Sequence, residues 1–150
     1  MDLKYGDAGV LIFPWLGFSV PLYKQNAQKK SQEIVDDENS AVIKYKYAGG
    51  HCDYIADHAG QGFDIIKKCG INTDAIIQTP NSTKTYKWQA TMLGMNKNGL
   101  RTCTGAKLQS IKWSDLCLYT CNDSKGVDIT MVFFKLKESV NRPIYKVLNI

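Results

Sequence analysis

Short stretches of alternating hydrophobic and polar residues, parted by turn residues, dominate this chain of 150 residues. The clearest alternation lies between Thr83 and Leu93. One face of this predicted strand carries four hydrophobic residues, Tyr86, Trp88, Ala90 and Met92. A period of two is typical of a half-buried strand. The same criterion predicts strands over residues 8–13, 18–23, 41–47, 52–57, 74–79, 115–121 and 127–137. Residues 144–150 are compatible with a last edge strand.

The pattern changes period only briefly. Gly62 to Cys69 has helical spacing and is followed by Gly70, a common helix terminator. Residues 24–33 are polar and predict a loop with a helical turn. Many short strands, one short helix and no internal repeat predict an all-β fold, a closed or nearly closed barrel. No domain boundary is visible, and 150 residues suffice for one self-contained domain spanning the chain.

Composition and charge exclude several classes of function. Hydrophobic residues make up 44% of the chain and charged residues 22%, as in ordinary soluble domains. The net charge of +5 comes from scattered lysines without a basic stripe, which argues against a nucleic-acid partner. The longest apolar run, Val10 to Tyr23, is broken by two prolines and Gly17, so no transmembrane segment is predicted. It also lacks a cleavage site of small residues, so either the protein is made without export or an anchor precedes this sequence.

Cysteine spacing argues against a structural metal or a framework of disulfides. There are five cysteines, an odd number, and no Cys-x-x-Cys motif. Cys117 and Cys121 lie on one strand face about 13 Å apart, too far for a disulfide. Cys52, Cys69, Cys103 and Cys117 are interpreted as packing residues. No cofactor or metal ion is predicted.

Two strand ends carry the residues of a cysteine nucleophile. Cys121 ends an apolar strand and is followed by the polar turn 122–126, whereas His58 ends the strand of residues 54–58. In such a pair the thiol attacks a carbonyl and the imidazole moves the protons. Asp57 precedes His58, so its side chain points to the opposite face, and we interpret it as a surface or turn-bonding residue. His51 is interpreted as a loop residue.

The order of these motifs resembles the sortase family. The resemblance covers roughly residues 8–136 and is carried by Ala8 to Pro14, Val20 to Tyr23, Ile55 to His58, Gln61 to Phe63 and Leu118 to Cys121. It implies an eight-stranded sortase-type β-barrel with His58 as catalytic histidine and Cys121 as nucleophile. The implied reaction cleaves a sorting-signal peptide through a thioacyl intermediate and transfers it to an amine of the cell wall or of a pilin. It also implies an extracellular or cell-surface location. Some members bind calcium through carboxylate loops, and residues 36–38 are a candidate for such a site, although the chemistry needs no metal.

One family feature is missing from the sequence. Sortases carry an arginine on the strand after the nucleophile, whereas residues 127–137 contain none. Counting from Cys121 puts Thr130 near that position, and Lys125 lies in the preceding loop. Either residue is a candidate to replace part of the arginine's role. Trp15 and Trp113 are candidates to line a peptide groove. Two alternatives stay open: a sortase-fold module that binds a peptide or protein without turnover, and a thiol peptidase that only hydrolyses.

Overall fold

The computed structural model describes residues 3–24, 41–45, 51–57, 63–97, 99–123, 125 and 127–147. Within these ranges the chain forms nine strands: β1 (Gly9–Phe13), β2 (Phe18–Lys24), β3 (Ala41–Lys44), β4 (Asp53–Ala56), β5 (Asp74–Thr79), β6 (Ser82–Asn96), β7 (Leu100–Thr102), β8 (Leu116–Cys121) and β9 (Asp128–Val140). The helices of the described residues are short 3-10 helices at Pro14–Leu16, Phe63–Lys68 and Leu108–Ser110.

Eight of these strands close into a ring. The sheet order is β5-β1-β2-β3-β4-β8-β9-β6-β7, and a further pairing of β5 with β6 joins the two ends. Strand β7 lies outside the ring, on the free edge of β6. Most neighbours are antiparallel, but β2 pairs with β3 and β4 pairs with β8 in parallel. The predicted all-β barrel is therefore confirmed.

The barrel interior is filled by one apolar cluster to which every strand of the ring contributes. Its fully buried members include Phe13, Phe63, Phe134, Leu11 and Ile55. The short Phe63–Lys68 helix inserts Phe63 and Ile66 into the same cluster, both fully buried. This helix was predicted from the spacing of its apolar residues, and its role is to cover the barrel interior.

Two further clusters cover parts of the barrel's outer surface. On β4, β8 and β9 an outer cluster packs against residues from the long β7–β8 connection; its buried members are Cys52, Tyr54, Leu100, Leu108, Ile111, Cys117, Ile129, Met131 and Phe133. On β1 and β5 a terminal cluster packs against both chain ends; its members include Leu3, Val10, Ile12 and Ile76, with Tyr5, Tyr145 and Val147 beside them. Because β1 is covered on both faces, all five of its residues are buried.

The structure corrects three details of the predicted elements. The register of β6 on β9 shifts between Trp88 and Ala90, so the expected row of four residues does not share one face. Tyr86 and Trp88 contact the interior cluster, whereas Met92 packs on the outer cluster. Strand β7 and the Leu108–Ser110 helix were not predicted. Residues 144–147 form no strand, while 148–150 and the predicted loop at 25–33 lie outside the described residues.

Candidate active site

The parallel pairing of β4 with β8 brings two distant strand ends together. Ala56 lies opposite Tyr119 in the register of the two strands. One residue further along, the Thr120 hydroxyl donates a hydrogen bond of 3.0 Å to the carbonyl oxygen of Asp57. Cys121 follows Thr120 directly. His58, which follows Asp57 in the sequence, lies outside the described residues.

Cys121 is the last residue of β8, and its side chain lies on the outer face of the barrel. Within β8 the buried residues Leu116 and Leu118 belong to the interior cluster, whereas Cys117 is part of the outer cluster. Cys121 shares the face of Cys117, as alternation requires, and packs half-buried at the margin of the outer cluster. The sulfur is therefore neither sealed in the barrel nor fully in water.

The surroundings of Cys121 favour the protonated thiol. Burial and then the nearby carboxylate of Asp123 raise the pKa of Cys121 above its ordinary value. Both effects disfavour the thiolate, since one removes water from the charge and the other places a like charge beside it. These surroundings therefore shift the ionisation of Cys121 toward the neutral thiol.

Thr130 is not brought to the face of Cys121. In the pairing of β8 with β9, Thr130 lies opposite Thr120, and Ile129 lies opposite Cys121. The Thr130 hydroxyl donates to the side-chain carbonyl of Asn122 at 2.9 Å, and Thr130 is buried. Thr130 is therefore better placed to hold the following turn than to contact a substrate at Cys121.

The residues of β9 that do share the face of Cys121 are apolar. Ile129 and Met131 are both fully buried in the outer cluster. Neither described arginine replaces them: Arg101 pairs with Met95 and donates to the carbonyls of Lys97 and Gly105, each at 3.4 Å. Arg142 is exposed beside the terminal cluster, where its carbonyl accepts a bond from Thr83.

Lys125 lies in the β8–β9 turn, close in sequence to Cys121. Its side chain is exposed, and its backbone N–H donates to the Asp123 carboxylate at 3.1 Å. The sequence interpretation named the lysine but missed Asp123, whose carboxylate accepts further bonds from the N–H groups of Val127 and Asp128. An Asp followed closely by Gly126 in a polar turn was the available signal, because Asp side chains commonly accept bonds from the backbone that follows.

Asp57 is the clearest correction within the site. It is only 5% exposed, so it is not a surface residue. In β4, Tyr54 belongs to the outer cluster and Ile55 to the interior cluster, so alternation places the Asp57 side chain on the interior face. Its backbone carbonyl does take part in the hydrogen bond to Thr120 that joins the two strand ends.

The remaining sequence candidates lie apart from Cys121. His51 precedes β4 and is hydrogen-bonded to Asp115, which precedes β8, with 2.8 Å between Nε2 and Oδ1. That pair marks the opposite ends of the same two strands. Trp15 is 77% exposed between β1 and β2, while Trp113 is 44% exposed and packs on Phe133 at the outer cluster. Trp113 thus borders the outer face that carries Cys121.

Closer to Cys121, a pair of tyrosines forms part of the outer cluster. The rings of Tyr54 and Tyr119 lie 5.6 Å apart, and Tyr119 is only partly buried. Because Tyr119 is two residues before Cys121, both side chains face the same way. The outer face next to the thiol is therefore lined by aromatic and aliphatic groups.

The described residues contain no group of three or more His, Cys, Asp or Glu side chains able to hold a metal ion. Asp36, Asp37 and Glu38, the sequence counterpart of a calcium loop, lie outside the described ranges. Across the described part of the chain, no helix has the length and apolar character needed to cross a membrane.

Comparison with known proteins identifies the fold. No family model matches the sequence, and no curated protein matches it. Among solved structures, sortase E1 from Streptomyces coelicolor, which holds a tripeptide in its active site, matches with a TM-score of 0.61 and 18% identity over 89% of this chain and 88% of its own. Sortase A from Listeria monocytogenes matches with a TM-score of 0.64 and 11% identity over 93% and 91% of the two chains.

A third match, sortase C-3 from Streptococcus pneumoniae, has a TM-score of 0.68 and 15% identity. It covers 90% of this chain, which spans only 64% of the length of that sortase. At these identities the likeness concerns the fold. The chain has the sortase fold, as the resemblance of its motifs implied.

Proposed function

We propose that this chain is a sortase-like cysteine transpeptidase with Cys121 as nucleophile and His58 as general acid and base. The observation that carries the proposal is the joining of the β4 and β8 ends by the hydrogen bond from Thr120 to Asp57. Each of these residues directly precedes one member of the proposed pair. Sequence order alone separates the pair by 63 positions, so only the parallel pairing supports their meeting.

The proposed chemistry starts from a neutral thiol. His58 takes the thiol proton as Sγ forms a bond to the backbone carbonyl carbon of the peptide. The carbon–nitrogen bond then breaks, and the leaving amine receives that proton from His58. An acceptor amine attacks the thioester, its proton passes to His58, and Cys121 is released as the thiol. The raised pKa of Cys121 supports a mechanism in which a base accepts the thiol proton.

The charge that develops on the carbonyl oxygen needs a donor. Ile129 and Met131 supply none on the face of Cys121. We therefore assign this role to Lys125, the cation in the β8–β9 turn, and give Thr130 a part in holding the turn instead. An exposed lysine is a weaker substitute for arginine, because it lacks a planar fork of several donors.

The proposed substrates are a peptide or protein with a sorting signal and an amine acceptor of the cell wall or a pilin. The apolar lining formed by Tyr54, Tyr119 and the neighbouring outer cluster is compatible with a peptide laid along β8. Such acceptors place the proposed reaction at the cell surface.

The test incubates the protein with a library of sorting-signal peptides, with and without an added amine, and detects products by mass spectrometry. A product that contains the amine is expected, and Cys121→Ala and His58→Ala should each abolish it. Cys103→Ala and His51→Ala are matched controls that should retain it, since Cys103 is an exposed residue of the β7–β8 connection and His51 pairs with Asp115 at the opposite ends of β4 and β8. An amine-containing product that survives Cys121→Ala would refute the assignment, whereas cleavage unaffected by amine would favour a thiol peptidase.

A second candidate function is supported by the same site. The raised pKa of Cys121 and the apolar residues of β9 beside it also suit a module that binds a peptide without turnover. Under this alternative the same peptides bind, no product forms with or without the added amine, and binding is retained in Cys121→Ala.

A further inference from the structure

A single carboxylate organises the turn that follows Cys121. Asp123 Oδ1 accepts hydrogen bonds from the backbone N–H groups of Lys125 and Val127, each at 3.1 Å. Its Oδ2 accepts a bond of 3.1 Å from the N–H of Asp128. Three bonds to one ionised acceptor fix both the turn and the position of the charge.

The same turn is tied to the barrel on both sides of Asp123. The Asn122 N–H donates to the Asp128 carbonyl at 2.7 Å, and the Asn96 N–H donates to the Val127 carbonyl at 2.7 Å. The Asn122 side chain in turn accepts the Thr130 hydroxyl. Because Cys121 is bonded directly to Asn122, these contacts hold the carboxylate of Asp123 at a set place relative to the sulfur.

The environment that this charge acts on is largely apolar. Residues of the outer cluster near Cys121 are Tyr54, Met92, Ala106, Tyr119, Ile129 and Met131. The described charged residues in the turn and at the adjoining strand ends are Asp57, Lys97, Asp123, Lys125 and Asp128. Burial is the first cause of the raised pKa of Cys121, and the charge of Asp123 is the second. A fixed charge next to a partly desolvated group is screened less than one in open water.

We propose that Asp123 is a positioning residue for Cys121 with two separable roles, shaping the β8–β9 turn through its oxygens and restraining the sulfur in the resting state through its charge. The inference rests on the proposed function only in taking Cys121 as the reactive group. Asp123 contacts the turn and not the substrate.

Three variants separate shape from charge. Asp123→Asn keeps one carbonyl oxygen in the same place and removes the charge, whereas Asp123→Ala removes both. Asp128→Asn is the matched control, because it changes an exposed acid of the same turn and keeps the backbone N–H that Asp123 accepts. All are made in a Cys103→Ala background, so that Cys121 is the partly exposed thiol that reports.

Two quantities are measured for each variant. The first is the second-order rate constant for alkylation of Cys121 by iodoacetamide from pH 6 to pH 10, and the second is the temperature of thermal unfolding. Asp123→Asn is expected to react about two- to fourfold faster at neutral pH, because more thiolate forms although each thiolate is slightly less nucleophilic. Its pH profile should move to lower pH, and Asp128→Asn should match the parent. Asp123→Ala should unfold at a lower temperature than Asp123→Asn. A rate for Asp123→Asn equal to or below that of the parent would overturn the charge role, and equal stability of the two variants would overturn the shape role.

A comparison within the unaltered protein guards against variants that fail to fold. Anionic iodoacetate should be disfavoured relative to neutral iodoacetamide more strongly at Cys121 than at Cys103, by about twofold or more. Equal ratios at the two cysteines would overturn the proposal. The proposed function has a separate test. Absence of peptide transfer in the parent protein would refute the transpeptidase assignment and would not change these ratios of alkylation rates.

Discussion

At the scale of single residues, burial divides the five cysteines into three kinds. Cys52, Cys69 and Cys117 are buried, and burial raises the pKa of Cys52 and of Cys69 to about 12. Cys103, expected to be a packing residue, is exposed in the turn that follows β7. Cys121 lies between these extremes. Sequence spacing carries no information on this division, because it depends on which outer faces of the barrel are covered.

The proposed role of Lys125 in stabilising the oxyanion is tested by replacing this residue. Lys125→Ala is expected to lower kcat/KM for peptide transfer by about tenfold, less than the loss of a preorganised oxyanion donor, because the lysine is exposed. Lys125→Arg should retain most of the activity, since the charge stays in the turn.

Lys84→Ala, which removes an exposed lysine of β6, is the control for the general effect of charge. Equal activities of Lys125→Ala and Lys84→Ala would show that another group stabilises the oxyanion. Steady-state kinetics of the amine-dependent product supply the measurement.

At the scale of secondary-structure elements, the β4–β8 pair is held at both ends. At its start the Asp53 N–H donates to the Asp115 carbonyl at 3.1 Å, and His51 contacts the Asp115 carboxylate. At its end Thr120 donates to the Asp57 carbonyl. Contacts at both ends of the ladder thus support the register of two parallel strands that are separated by more than sixty residues.

The start of this pair is expected to respond to pH. Burial opposes ionisation of Asp115, but bonds from the Leu136 N–H and from His51 outweigh it and lower the pKa of Asp115 below its usual value. A carboxyl whose pKa is lower in the folded chain stabilises the fold above the pKa of the unfolded chain, about 3.9. That contribution is lost as the pH falls through the lowered pKa.

Asp115→Asn should therefore reduce the unfolding temperature at pH 7 and have a smaller effect near pH 2. At pH 7 the expected loss in the free energy of unfolding is about 1 kcal/mol, because the pair of His51 and Asp115 is partly exposed. Asp64→Asn, which breaks the exposed pair with Lys67, is the control that should change little at either pH. Thermal unfolding followed by circular dichroism measures both, and an equal loss for Asp115→Asn at both pH values would contradict the linkage.

The end of the pair is tested by removing one hydroxyl. Thr120→Val keeps the shape of the side chain and leaves the Asp57 carbonyl without this donor, at an expected cost of about 1–2 kcal/mol in the free energy of unfolding. Peptide transfer should fall as well, because the two strand ends are no longer joined.

Thr130→Val is the matched control for this change. Its partner is the exposed Asn122 side chain, which can bond to water instead, so a smaller loss is expected. Chemical denaturation compares the two variants, and equal stabilities would show that the hydrogen bond from Thr120 does not hold the strands.

Local sequence patterns predicted where strands and helices lie better than they predicted which residues of neighbouring strands pair. The strands of β1, β2, β5 and β8 and the Phe63–Lys68 helix follow from alternation, helical spacing and turn residues within ten positions of each other. The shift between Trp88 and Ala90 interrupts alternation without a glycine or proline to mark it. Strand β7, with three residues, is too short to show a period. For the site, the end of a strand at Cys121 was predicted, but the turn built on Asp123 depends on backbone geometry.

At the scale of the whole molecule, closure of the barrel leaves two outer faces that need separate cover. The β7–β8 connection covers the face of β4, β8 and β9 next to Cys121, and the chain ends cover the face of β1 and β5. The β7–β8 connection and the chain ends are largely irregular segments, so their buried backbone N–H and C=O groups need hydrogen-bond partners outside a strand ladder. On the second face one side chain, Gln78, supplies several of these partners.

Gln78 joins the described beginning and end of the chain to the barrel. It is fully buried on β5, and its Oε1 accepts bonds from the N–H groups of Ile144 and Tyr145 at 3.0 and 2.8 Å. Its Nε2 donates to the Tyr145 carbonyl at 2.7 Å and to the Tyr5 hydroxyl at 3.2 Å. For Ile144 and Tyr145, which lie on the barrel without forming a strand, this side chain supplies backbone partners that a ladder would otherwise give.

Gln78→Ala is expected to lower the free energy of unfolding by about 2–4 kcal/mol, since two backbone N–H groups and one carbonyl lose their buried partner. Release of the segment should also speed cleavage after Lys146, which limited trypsin digestion detects, whereas Arg142 precedes Pro143 and is a poor trypsin site. Gln89→Ala is the matched control, a strand glutamine whose amide donates to the Trp113 carbonyl on the other outer face. If trypsin cut both variants after Lys146 at the same rate, Gln78 would not be the residue that holds the end of the described chain to the barrel.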